Sequence, residues 1–258
     1  MGKPIRIIFS VFCLNMLGLL IWRISDGMWS DVNWGMLLVA FVCCLLVFAN
    51  FVYVFNYSYA LCVALSSLLI LWALPSLVSA LMAGVGIAYG LRLFVFTRQR
   101  IHSHSYASRT ERSKQKDAKM PVSIKVALWV QCALLHTFHL MALYYVAEKG
   151  VLTPVIGIGV AIMFFGTVIE ALADAQKQSA KAQDPNALVI RGLFSHWRHP
   201  NYAGEILFHV GLIVAGLAAA DNWVEMIILL LSPLYIVLLM ISESQRVDSL
   251  HAEKYVDD

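Results

Sequence analysis

Long apolar runs separated by short polar clusters divide the chain, and their lengths set the reading. A membrane-crossing helix needs about 20 mostly apolar residues. Runs of that kind cover residues 5–22, 34–55, 57–74, 76–97, 122–146, 152–173, 203–220 and 223–242. The stretch 57–97 is one continuous apolar run, too long for a single crossing, and Pro75 divides it. Pro121 opens the fifth run, and Asp221-Asn222 makes the turn between the last two. The pattern predicts an all-α fold, a polytopic membrane helical bundle of about eight transmembrane helices, with seven as the rival count. Residues 1–258 form a single integral membrane domain, with no internal repeat and no low-complexity linker.

Composition agrees with this pattern. Sixty per cent of the residues are hydrophobic and 14% are charged, against about 25% charged in soluble domains. The first run follows Lys3 and Arg6 like a signal peptide, but no clean cleavage site succeeds it, so it reads as a retained helix. Two polar segments carry the basic charge. Segment 98–119 holds Arg98, Arg100, Arg109, Arg112, Lys114, Lys116 and Lys119 against Glu111 and Asp117; segment 176–200 holds Lys177, Lys181, Arg191 and Arg198 against Asp184. The positive-inside rule puts both in the cytoplasm. Eight spans then place both termini there, and the opposite loops keep only Arg23 and Lys149 as bases. Segment 98–119 reads as a basic, Ser-rich loop, either a topology signal touching anionic membrane lipid or a source of arginines for a ligand phosphate. The five cysteines lie in apolar runs without metal-ligand spacing and read as small buried hydrophobes.

Polar residues inside the runs are the candidates for chemistry. Arg92 lies inside the fourth span, where a charge costs roughly 2.5–3.5 kcal/mol on insertion scales, so it must snorkel, pair or bind an anion. Tyr89, three residues earlier, shares its face. Glu170 and Asp174 are four apart near the end of the sixth span and form one acidic face, for salt bridges or for ligand hydroxyls and amides. The densest cluster is residues 190–205, with Arg191, Arg198, His199, Asn201, Tyr202 and Glu205. Pro200 starts a helix there, so the segment reads as a loop feeding a helix N-terminus, a geometry suited to anions. Glu205 is expected in the first turn, capping or binding, with His209 backing it. His136 and His139 read as a hydrogen-bonded pair rather than metal ligands. Together these residues define a polar chamber at the cytoplasmic face, filled by a soluble charged molecule. Nothing in the charge pattern indicates nucleic acid as a partner, and the oligomeric state stays open.

The motifs Tyr89-Gly90-Leu91-Arg92-Leu93, Ile169-Glu170-Ala171-Leu172-Ala173-Asp174-Ala175-Gln176-Lys177, Arg191-Gly192-Leu193-Phe194 and Trp197-Arg198-His199-Pro200-Asn201-Tyr202-Ala203-Gly204-Glu205 carry a resemblance. They resemble the steroid 5-alpha-reductase superfamily in its bacterial branch, over about residues 85–258. The resemblance implies a bacterial inner-membrane enzyme that reduces an activated C=C bond of a lipophilic substrate taken from the bilayer, a steroid-like, enoyl or isoprenoid molecule. It implies NADPH as cofactor, held by Arg92, Glu170, Asp174, Arg191, Arg198, His199, Asn201, Tyr202 and Glu205. Tyr89 would match the tyrosine that activates the substrate carbonyl, stabilising the enolate that forms on hydride addition.

One departure matters. Steroid-reducing members pair that tyrosine with a glutamate on an early span, whereas this chain has no Asp or Glu between Asp31 and Glu111. Asn50, Asn56, Tyr57 and Tyr59 are the polar residues nearby. The tail Glu253-Lys254-Tyr255 resembles the family's C-terminal segment. The rival resemblance is to isoprenylcysteine carboxyl and phospholipid methyltransferases, which carry a similar Arg-His-Pro-x-Tyr-x-Gly loop and bind S-adenosylmethionine. Their Glu-rich tail is poorly matched by Ser242-Glu243-Ser244-Gln245-Arg246. A membrane protein that binds lipid without catalysis is the third class.

Overall fold

A computed structural model describes residues 3–186 and 188–254, so Tyr255 of the tail motif lies outside the described residues. Ten α-helices and no strand are formed among them: α1 (Lys3–Ser25), α2 (Asp31–Cys44), α3 (Tyr53–Ala73), α4 (Leu77–His102), α5 (Ala107–Ala118), α6 (Val122–His139), α7 (Met141–Lys149), α8 (Pro154–Gln183), α9 (Pro200–Leu217) and α10 (Trp223–Lys254). Seven segments are long and apolar enough to cross a membrane, with α6 and α7 counted as one bent span. The eighth expected span is α9. Asn201, Glu205 and His209 lower its apolarity, yet its 18 residues reach about 27 Å, close to the roughly 30 Å of a bilayer core.

Local sequence explains the boundaries. Ser30, Ser76 and Thr153 accept hydrogen bonds from the amides three residues on, capping α2, α4 and α8. Pro75 falls between α3 and α4 as expected, while Pro233 sits inside an unbroken α10. Two expectations are corrected. Segment 98–119 is not a loop: α4 continues to His102, and residues 107–118 form α5. The reason is composition, since Ala, Arg, Glu, Lys and Gln are strong helix formers whether or not they are apolar. For the same reason α8 and α10 run about ten residues past the ends of their apolar runs.

The closest pair of helices is α8 and α9, packed antiparallel. Gly159 faces Gly211 and Ala215, and Gly166 faces Gly204 and Phe208. A Cβ on Gly204 would lie 2.6 Å from the Glu170 amide nitrogen, so the two backbones touch where only glycine fits. This contact fixes Glu170 beside the start of α9. A second close approach sets α4 against α3: a Cβ on Gly90 would lie 2.6 Å from the Ala60 carbonyl oxygen. It brings Tyr89 to Tyr59.

Both basic segments gather at one end of the bundle. There Asp117 of α5 pairs with Lys125 of α6 at 2.8 Å and accepts from the Phe51 amide at 2.8 Å. Ser113 donates to Asn50 at 3.0 Å. α5 is thereby tied across the α2–α3 turn. At the far end, Lys149 pairs with Asp221.

Candidate functional site

Three helices bring a charged cluster into the bundle at its basic end. Arg92 of α4 reaches Glu170 at 2.5 Å and Asp174 at 2.8 Å, both on α8. Only 5% of the Glu170 side chain and 7% of that of Asp174 are exposed, which makes this a nearly dry ion triad. Arg92 therefore pairs with acids of another span rather than snorkelling. Its guanidinium also lies 5.4 Å from the centre of the Tyr89 ring. Glu205 of α9 is within electrostatic reach of Glu170, Asp174, Arg92 and Arg100. Among the described residues its carboxylate accepts no hydrogen bond.

The cluster is left with unused hydrogen-bonding capacity. Arg92 Nε, Arg100 Nε, Glu170 Oε2, Gln178 Oε1 and Asn201 Oδ1 are buried and have no hydrogen-bond partner among the described residues. An uncompensated buried polar group costs about 1–3 kcal/mol, so five in one place need an explanation beyond packing. A cavity of about 570 Å³ between α4 and α8 meets the cluster at Arg92, Asp174 and Gln178 and is otherwise walled mainly by apolar residues such as Leu91, Val95 and Phe96. Its rim residues Leu91 and Val95 are exposed on the flank of the bundle. A smaller cavity of about 160 Å³, lined by Ser103, His104, Ser105 and Lys181, shares Gln178 with it.

The predicted site residues divide into two groups. Arg92, Glu170, Asp174 and Glu205 converge, and Asn201 lies one turn before Glu205 on α9. Arg191 and Arg198 do not: both are exposed, and Arg198 reaches out to Asp248 at 3.5 Å. His199 pairs with the same Asp248 at 2.9 Å, which anchors the loop to α10, and stacks on Tyr202 of α9. Gln176 holds the other side of that loop by accepting from the Leu193 amide at 2.9 Å. The loop is long enough to turn its arginines outward, which residue spacing does not reveal.

Three local expectations are corrected. Glu205 is not in the first turn, because α9 starts at Pro200 and Glu205 is already in the second turn. His209 does not back the Glu205 side chain; its Nδ1 meets the Glu205 backbone carbonyl at 2.6 Å. His136 and His139 do not bond each other: His136 donates to the Val54 carbonyl at 3.3 Å, and His139 meets Ser232 at 3.4 Å. Tyr89 is wholly buried, stacked on Phe208 with centroids 4.0 Å apart, and its hydroxyl lies 3.3 Å from that of Tyr59. Sequence reasoning named Gln176 only as a neighbour and missed Arg100 and Gln178 as site members; their helical spacing from Arg92 and Asp174 was the available signal.

Fold and site together define a polytopic, all-α membrane protein with a buried charged cluster toward one end. The chain belongs to the family described as "Protein of unknown function (DUF1295)", whose model matches residues 20–257. That family is associated with steroid 5-alpha-reductase-like proteins. No curated protein and no solved structure matches the chain.

Proposed function

We propose that this protein is an NADPH-dependent membrane reductase acting on an activated C=C bond of a lipophilic substrate. The observation that carries the reading is the set of buried, unpartnered groups around the Arg92–Glu170–Asp174 triad. They fit a dinucleotide. Glu170, Glu205 and Asn201 offer acceptors, which suit a carboxamide and ribose hydroxyls. Arg100 and Lys177, nearer the helix ends, offer cations for phosphates. The basic surplus of 98–119 favours NADPH over NADH through the additional phosphate. When bound, the nicotinamide supplies the hydride.

The chain's own residues do the rest. The glycine contact of α8 and α9 holds Glu170 beside the start of α9, and Arg92 pairs with Glu170 and Asp174. The flank groove between α4 and α8 gives a lipophilic molecule a route from the bilayer, with apolar walls at Leu91, Val95 and Phe96. Tyr89 is the donor for the substrate carbonyl. Because Tyr89 is wholly buried, side chains packed around it must move for substrate to reach its hydroxyl. By the positive-inside rule the chamber and both termini face the cytoplasm, in keeping with an inner-membrane enzyme drawing on a soluble cofactor.

Ligand-dependent thermal stabilisation of the detergent-solubilised chain tests the reading. NADPH stabilises more than NADH, and S-adenosylmethionine does not stabilise. Asn201→Ala and Glu205→Ala each weaken NADPH by about 10- to 100-fold, the loss of a hydrogen bond to a charged group, while midpoints without ligand hardly move. Stabilisation by S-adenosylmethionine alone would turn the assignment to a methyltransferase. Lowered midpoints with unchanged affinity would make the Asn201–Glu205 turn architectural.

A further inference from the structure

A chain of polar groups runs behind Tyr89, through the core of three membrane-spanning helices. The Tyr89 hydroxyl on α4 lies 3.3 Å from that of Tyr59 on α3, and Tyr59 Oη lies 3.3 Å from His209 Nε2 on α9. His209 Nδ1 lies 2.6 Å from the Glu205 backbone carbonyl. Tyr89 and His209 are 0% exposed and Tyr59 is 6% exposed. Polar groups at such depth mark function more often than stability.

The carbonyl fixes the direction of every bond. A carbonyl oxygen only accepts, so neutral His209 carries its proton on Nδ1 and presents a bare Nε2. Tyr59 then donates to Nε2, and Tyr89 donates to Tyr59. In this state the Tyr89 proton is drawn to Tyr59, in competition with the neighbouring Glu170 side chain, and is not held for the substrate. A second proton on His209 reverses the chain: Nε2–H donates to Tyr59, Tyr59 donates to Tyr89, and Tyr89 presents its proton.

We propose that Tyr59 and His209 form a proton relay that charges Tyr89, taking the place of the acidic partner this chain lacks on its early spans. The inference rests on the reductase reading. The step balances: hydride addition at the β-carbon of an enone moves the C=C pair into an enolate, and Tyr89 gives the enolate its proton. Tyr89 regains one from Tyr59, and Tyr59 regains one from His209 Nε2, which returns to the neutral form. Each turnover consumes one hydride and one proton; because His209 is wholly buried and both its nitrogens are engaged, the proton returns to Nε2 through Tyr89 and Tyr59 once product has left. The titratable and charged groups facing the relay are Glu205 on α9, Glu170 on α8, Arg92 on α4, and His136 and His139 on α6; the His136 ring lies 5.7 Å from that of Tyr59, and the His139 ring lies edge-on to both Tyr59 and His209. Tyr59 and His209 are positioning residues, acting on substrate through Tyr89.

The test has two arms on the full chain. ¹⁵N-histidine NMR without cofactor reads the wiring, the His209 resonances being assigned by their loss in His209→Gln. Tyr59→Phe, which keeps the ring packing and removes only the hydroxyl, shifts the His209 Nε2 resonance; an unmoved resonance overturns the relay. NADPH oxidation with cyclohex-2-enone and with a 3-oxo-Δ4 steroid as probes reads its use. Tyr59→Phe and His209→Gln each lower kcat by about tenfold or more, with KM for the probe and the thermal midpoint near wild type. If Tyr59→Phe fails to fold, His209→Gln, which keeps a donor and an acceptor but passes no proton, carries the kinetic arm. Variants with kcat within twofold of wild type reduce these contacts to interhelical packing and overturn the relay alone. A wild type that oxidises NADPH with neither probe overturns the reductase reading, and the relay with it.

Discussion

Replacing Arg92 with methionine isolates the ion triad. The side chain keeps comparable length and apolar bulk but leaves Glu170 and Asp174 facing each other's charge with exposures of 5% and 7%. At an effective dielectric of about 20, a unit pair at 2.8 Å attracts by roughly 6 kcal/mol, and desolvating the partners opposes most of that gain. The net worth of the triad is therefore small, but removing one member is not, because the acids stay buried without their cation. We expect Arg92→Met to cost about 3–5 kcal/mol. Neutralising the acids as well, in Arg92→Met/Glu170→Gln/Asp174→Asn, removes the uncompensated charge and recovers more than half of that loss. Dodecyl sulfate titration in mixed micelles, followed by circular dichroism, measures both. NADPH affinity must stay lost in the triple variant, since its groups hold no charge for the ligand. A cost below about 1 kcal/mol for the single variant, or a triple variant no more stable than the single, would refute the description of a dry, mutually dependent triad.

Other expectations follow from the packing. Gly204→Val drives a side chain into the Glu170 backbone and costs about 3 kcal/mol or more in the same titration, whereas Gly18→Val, with nothing within 4 Å of the added Cβ, is close to neutral. Burial raises the Asp117 carboxyl, but hydrogen bonds from Lys125 and the Phe51 amide outweigh it and hold the group below the usual carboxylate range. A depressed pKa stabilises above the unfolded value near 4 and stops doing so as pH falls through the folded one. Asp117→Asn is thus expected to cost about 1 kcal/mol at pH 7, a cost that shrinks as pH falls through the folded value, read from thermal midpoints across an acid titration. Reporter fusions after residues 110 and 185 both read cytoplasmic, and an external reading at either would overturn the orientation.

Much of the fold was legible because a bilayer makes span length a hard constraint. Pro75 and the Asp221-Asn222 turn divided the runs where the helices divide. What the apolar template missed were the polar helices. Residues 175–183 of α8 and 107–118 of α5 are rich in Ala, Gln, Lys and Arg, which favour helix without favouring lipid. In the site, Arg92, Glu170 and Asp174 were visible because a charge inside a span must find a partner. Tyr59 was visible only as one of four polar residues on an early span. Its selection depends on Gly90 letting α4 approach α3, a tertiary contact with no signature along one segment. Arg191 and Arg198 mislead for the converse reason: membership of a dense motif does not say which way a loop side chain turns.

The imbalance within the site argues for what fills it. Glu170 and Asp174 share one arginine, while Glu205, Asn201 and Gln178 hold acceptors that no described residue engages. A site kept for stability alone gains nothing from this arrangement, since apolar side chains of similar volume are often at least as stable as buried ions. Unengaged acceptors lie on α9, at Glu205 and Asn201, while Arg92 Nε is an unengaged donor near Glu205. The surplus of cations lies toward the helix ends, at Arg100 and Lys177, and continues into the basic segment 98–119. A ligand that completes both must be anionic at one end and rich in N–H and O–H donors at the other. Free phosphate lacks the second property, and a neutral lipid lacks the first. S-adenosylmethionine carries its positive sulfonium and offers only one carboxylate, leaving the outer cations largely unused. A dinucleotide with an extra phosphate supplies anionic oxygens for Arg100, Lys177 and their neighbours, and a carboxamide and hydroxyls for the inner acceptors. That match of polarity along the chamber, more than any single residue, is why we expect NADPH to stabilise this protein.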